Sequence, residues 1–296
     1  MATVTKCIFV LMVAWAIKTA SSPLFTNIPF TAQRVPIPDR MGFSPTHRYL
    51  PYQDINLRGL FINTVEAMRF NAKQDISQNQ PLRSFSTARF PHPVITLRNV
   101  DNFIKREYVI WGLIFGNGYL RDPGKGVAQD ITLLWDSQPV GVITYDRPIT
   151  AGQKQADISH VPLNGTTNNL TSSPLEVDFH HGMRVMTRDD YQMAILWSMA
   201  QAARFPSDLP LGFHGWRPPI QADDCRFSAQ VLQDGPFTFA VLIEVLAKAA
   251  TFVTIQNMYL ELRGLVKVDG VEIGRVFFTP PGVTPIGGTS ANVTFE

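Results

Sequence analysis

The chain has little charge and almost no cysteine. Charged residues make up 17% of its 296 residues, while 45% are hydrophobic; ordinary soluble proteins carry about 25% charge. That balance excludes a disordered chain and predicts a well-buried body. Of the two cysteines, Cys7 lies in an apolar leader and Cys225 stands alone in the rest. An internal disulfide is therefore excluded, and a packed core must hold the fold. Cys225 reads as a small buried hydrophobe on a strand.

Charge of one sign is also missing. Removing residues 1–22, which hold Lys6 and Lys18 and no acid, leaves 24 basic and 24 acidic residues. Nucleic-acid binding needs basic patches that neutralise phosphate. None is visible, so no nucleic-acid partner is expected.

Recognisable catalytic motifs are lacking too. There is no Gly-x-Ser-x-Gly elbow, no His-Glu-x-x-His helix and no Cys/His cluster. Gly116-Asn117-Gly118 follows no strand and has no Lys-Ser/Thr sequel, so it is not a phosphate loop. No metal and no cofactor is expected.

What is present begins with an export leader. Lys6 precedes an apolar run from Cys7 to Ile17, and small residues follow at Thr19 to Ser22. The run is too short for a spanning helix, which needs about 20 residues. Residues 1–22 read as a signal peptide, with no stable membrane insertion after its removal. Acceptor triplets start at Asn164, Asn169 and Asn292, which places those asparagines on the surface of a secreted or lumenal glycoprotein.

Residues 23–53 carry six prolines and read as an extended arm, because proline lacks the amide donor of helix and central strand. Beyond them lies a repeat. Asn56 caps a stripe at Leu57, Leu60, Phe61, Thr64, Val65 and Met68, and 134 residues later Tyr191, Ala194, Ile195, Ser198, Met199 and Ala202 repeat it. Strands at Val94–Leu97 and Ser228–Val231, apolar helices at Lys105–Leu120 and Pro236–Thr254, and two closing hairpins keep nearly the same offset. The second hairpin turns at Asp269-Gly270, a type I′ signal.

The fold class is α+β, a tandem α-β-α-β-β unit with a pseudo-twofold axis and helices packed on one face of antiparallel sheet. The first copy spans residues 54–145 and the second 188–279. Residues 146–187 read as a glycosylated linker, with an extra strand at Leu175–Phe179, and residues 280–296 as a flexible tail. Around Tyr108-Val109-Ile110-Trp111-Gly112-Leu113 and the later Val140-Gly141, the chain resembles uncharacterised secreted proteins of filamentous fungi over about 40 residues. The resemblance implies an extracytoplasmic fungal protein and carries over no catalytic residue.

Candidate site residues follow from local chemistry. Asp178 and His180, two apart on an extended segment, share a face and suit an acid–base pair. The same polar group also reads as a linker running into a helix start. Glu244 is the one acid inside an apolar helix; buried, it would act as a general acid, and paired with Lys248 at i+4 it would be structural. His214 and Trp216 on a loop, with Trp111 and Tyr119 on the first copy's helix, are candidates to line a ligand pocket, or to pack their elements down.

Two function classes fit. One is a protein that binds a hydrophobic small molecule between the copies, as a cofactor-free isomerase or cyclase of natural-product assembly, working by conformational restraint. The other is a secreted interaction or effector protein with no catalytic activity. An enclosed apolar cavity of a few hundred Å3 separates them.

Overall fold

The structure, a computed structural model, describes residues 43–98, 104–121, 126–146, 175–212, 216–218, 224–232 and 237–282. The leader, Asn164, Asn169, Asn292 and His214 lie outside them.

The first unit comprises β1 (Phe43–Asp54), α1 (Leu57–Ala72), short β2 (Asn79–Gln80) and β3 (Arg83–Phe85), β4 (Val94–Arg98), β5 (Ile104–Lys105), α2 (Arg106–Arg121), β6 (Val127–Trp135) and β7 (Gln138–Asp146). The second comprises β8 (Leu175–Val185), α3 (Arg188–Ala202), β9 (Arg226–Val231), α4 (Phe239–Gln256), β10 (Leu260–Val268) and β11 (Val271–Thr279). The sheets have the orders β1-β6-β7-β4-β3 and β8-β10-β11-β9, and every described pairing is antiparallel. Apart from β3, the two topologies are identical. The repeating unit is thus β-α-β-α-β-β, and each copy begins one strand earlier than the residue pattern indicates. β1 falls in the proline-rich segment: Pro45 and Pro51 lie in a strand, but an edge strand, where a missing donor is tolerated.

Fine detail repeats as well. Both hairpins turn on two residues with positive φ, Asp136 (48°) and Ser137 (66°) in one, Asp269 (54°) and Gly270 (74°) in the other. Both ladders then slip by one residue at the same place, between Leu133 and Leu134 and between Val266 and Lys267. Just past each slip a glycine faces a side chain that enters the following helix: Gly141 lies under Ile104, and Gly274 under Phe237. All three features recur at an offset of 133. The first helices do not keep 134: their caps, Asn56 and Thr187, stand 131 apart. That three-residue difference is nearly one helical turn, which is why both stripes are buried.

Each sheet is covered on one face by its own helices, and the helices of the two units pack together. α1 meets α4, its symmetry counterpart α3 meets α2, and α1 and α3 meet each other across the pseudo-twofold axis. One continuous core results. α4, with a mean hydropathy of 1.6, is long and apolar enough to cross a membrane. Here it is an internal helix, in contact with β8, α1 and α3.

Candidate functional site on the outer face of the second sheet

The interface between copies, where a ligand pocket was expected, is occupied by side chains. Trp111 of α2 meets Trp197 of α3 edge to face at 5.1 Å and also stacks on Phe115. Trp111 is 6% exposed; it joins the two copies. Tyr119 lies in the last turn of α2, and its side chain is outside the described residues.

Glu244 faces the other copy as well. Its carboxylate accepts hydrogen bonds from Lys73 Nζ at 2.6 Å and from Arg69 at 3.1 and 3.2 Å, and Arg69 also holds Glu66 at 2.8 Å. This corrects the expectation of a Lys248 partner: α4 packs its acid against α1, where two cations are closer to hand. Burial alone would raise the Glu244 carboxyl, but the hydrogen bonds and charges of Lys73 and Arg69 outweigh it and hold the group below its ordinary range. A general acid needs the opposite shift. Glu66, with less cationic help, is pushed up by burial.

Trp216 is the second copy's remnant of β3. It bridges Ala229 on the outer side of β9, as Arg83 pairs with Leu97 on β4. Its ring turns inward onto Phe239 and Phe227, at 5.8 and 6.1 Å. Trp216 therefore anchors its loop to the core. Cys225 is fully buried, and burial pushes its thiol far above the usual range.

A cleft of about 180 Å3, partly open to solvent, lies between Asp54, Ile55 and Asn56 on one side and His92 and Pro93 on the other. Its rear wall is fixed by Asn63, which donates to the Phe90 and Pro93 carbonyls at 2.9 and 2.7 Å and accepts from Thr87 N at 3.0 Å. Small-molecule pockets usually measure about 300 to 1,000 Å3, and this cleft belongs to the first copy alone. Among the described residues, no group of three or more His, Cys, Asp or Glu side chains is placed to hold a metal ion.

The outer, helix-free faces of the sheets are where the copies differ most. Period-two alternation puts Glu176, Asp178 and His180 of β8 outward and Val177, Phe179 and His181 inward. His181 stacks on Phe252 of α4 at 5.1 Å and its Nε2 lies 2.7 Å from Gln256 Oε1. Asp178 and His180 do share the outer face, but Asp178 pairs with Lys267 Nζ at 2.7 Å. That bond and charge hold its carboxyl below the ordinary range and raise the Lys267 ammonium.

Two cross-strand rows build this face. One runs His180, Arg263, Phe277, Ser228, and the next runs Asp178, Leu265, Arg275, Gln230. Arg226 lies beyond Ser228, opposite Thr279. Arg226, Arg263, Lys267 and Arg275 thus reach one surface from three strands. The corresponding row of the first sheet is Arg48, Asp130, Thr144, Thr96, Ser84. There the charges cancel internally: Arg48 pairs with Asp130, which also accepts from Thr144 Oγ1 at 2.7 Å, and Ser84 and Thr96 hydroxyls share a 2.9 Å bond. Arg263 of the second copy stands where Asp130 stands in the first. The four cations escape a motif search, yet their signal is visible: alternate positions 261, 263 and 267 of one strand are charged.

No protein-family model matches the chain, and no curated protein matches it. Among solved structures, the tandem DUF26 ectodomain of the Arabidopsis thaliana cysteine-rich receptor-like protein PDLP8 is similar at 7% identity, over 80% of this chain and 97% of that one, with a TM-score of 0.24. A likeness that distant bears on neither fold nor function.

Proposed function

We propose that the chain is a secreted interaction protein without catalytic activity, and that the outer face of its second sheet meets an acidic surface of a partner protein. The leader and the acceptor triplets at Asn164, Asn169 and Asn292 support export. The observation that carries the reading is the gathering of Arg226, Arg263, Lys267 and Arg275 with His180 on one helix-free face. Arginine suits this role, since its planar fork bonds carboxylates in pairs and loses little freedom in doing so. The alternative, a cofactor-free isomerase or cyclase acting on a hydrophobic molecule between the copies, has less support, because Trp111, Trp197, Arg69 and Glu244 fill that space.

Two measurements on one gene test the reading. Deleting the gene should leave the producing organism's small-molecule profile unchanged. Proximity labelling with the secreted protein should mark a partner that the Arg226→Glu/Arg263→Glu variant no longer marks. A metabolite that accumulates or disappears on deletion, with labelling unaffected by the double variant, overturns it.

A further inference from the structure

Strand β8 ends the second sheet. Its inner neighbour is β10, and along its other side the ladder has no strand among the described residues. Such an edge offers a row of backbone donors and acceptors to any strand that can lie beside it. Proteins commonly protect a long edge with inward charges or a covering segment. The far end of β8 has the opposite character. Met183 is 97% exposed and Val185 78%, the two most exposed large apolar side chains among the described residues. Two more of the seven, Ile255 (37%) and Met258 (40%), lie beside this end. Gln256, next to Ile255, is bonded to His181, and the segment after Met258 is tied to β8 by Met186 N donating to Tyr259 O and by the Leu260–Val185 pairing. Four exposed apolar groups thus gather where the edge is open.

We infer that this edge is a homodimer interface, in which β8 pairs antiparallel with β8 of a second copy and joins two four-stranded sheets into one of eight. The strand's own residues select that occupant. An antiparallel pairing centred on His180 places Glu176 opposite Arg184, once at each end of the interface. Both side chains are exposed in the single chain, so each dimer gains two cross-strand ion pairs of opposite sign. The same register sets Val177 against Met183 and Leu175 against Val185, and it covers the exposed apolar end of one strand with the half-buried start of the other. Asp178 falls opposite Gly182, so no acid meets an acid. An isologous contact of this kind closes on itself and does not propagate into fibres. The inference does not depend on what the outer face binds, since it uses the edge of the sheet and not its surface.

The test is sedimentation velocity of the full secreted chain over a concentration series, together with hydrogen exchange of the 175–185 amides. The wild type should show a monomer–dimer equilibrium, with those amides slowing as concentration rises. Glu176→Arg should weaken dimerisation roughly tenfold, because like charges then meet at both ends. The exchanged pair Glu176→Arg/Arg184→Glu should restore it. Met183→Lys should weaken it independently. A chain that stays monomeric at every concentration overturns the inference, as does a dimer that Glu176→Arg leaves intact or that the exchanged pair does not rescue.

Discussion

The Tyr145 hydroxyl occupies the place a side chain on Gly116 would need. A Cβ at Gly116 would also come within 2.9 Å of Tyr145 Cζ and of Ile131 Cδ1. The ring is fully buried, and burial pushes its ionisation far above the ordinary range. In the second copy, 133 residues on, the same two positions hold Ala249 and Phe278, both buried. One copy has the hydroxyl and no methyl, the other the methyl and no hydroxyl.

This exchange predicts a rescue. Gly116→Ala should destabilise the protein by about 1 to 3 kcal/mol, the usual cost of overpacking. Tyr145→Phe should be close to neutral, since the hydroxyl it removes has no hydrogen-bond partner among the described residues. The double variant, which copies the second unit into the first, should recover most of the loss. Urea melts of the three variants check it.

The hairpins predict a stabilising change. Ser137 holds φ at 66° in the position where its counterpart is Gly270. Glycine reaches that region without the steric cost that serine bears. Ser137→Gly should raise stability by about 0.5 to 1 kcal/mol, and Gly270→Ser should lower it by a similar amount. Thermal unfolding of both variants should move in opposite directions.

Glu244 predicts both a contrast and a pH dependence. Glu244→Gln leaves Arg69 and Lys73 without their shared carboxylate and should cost about 2 kcal/mol near neutral pH. Lys248→Ala, on the exposed side of the same helix, should change stability by less than about 0.5 kcal/mol. The Glu244 carboxyl is held below its ordinary 4.5 in the fold, so its contribution is present above pH 4.5 and is lost as pH falls through the lower folded value. The gap between wild type and Glu244→Gln should therefore close on acidification. Glu66, raised by burial, has the opposite sign, and Glu66→Gln should lose its stabilising effect as pH falls.

Much of this fold was legible in the residues. The Asn56 cap, both buried stripes and the Val271–Thr279 strand follow from periodicity, because one face of each element must meet the core. β1 was not legible as a strand. Pro45 and Pro51 remove two donors, which matters inside a sheet and matters little at its edge. β8 was legible only as far as Phe179, where clean alternation gives way to His180-His181-Gly182. The site was less legible than the fold. Asp178 and His180 share a face as their spacing requires, but Lys267 is 89 residues away from Asp178, and no local pattern could name it as partner. Glu244 shows the same limit: its sequence neighbour Lys248 was the obvious cation, and the copy-to-copy packing supplied Arg69 and Lys73 in its place.

A double-mutant cycle between Arg69 and Glu244 tests most directly that two copies of one unit are docked helix against helix. These residues lie 175 apart in the chain and touch only if α1 and α4 face each other across the pseudo-twofold. The account predicts a coupling of about 1 to 2 kcal/mol in the stabilities of Arg69→Ala, Glu244→Ala and the double variant. Additive losses, with a coupling near zero, would contradict it.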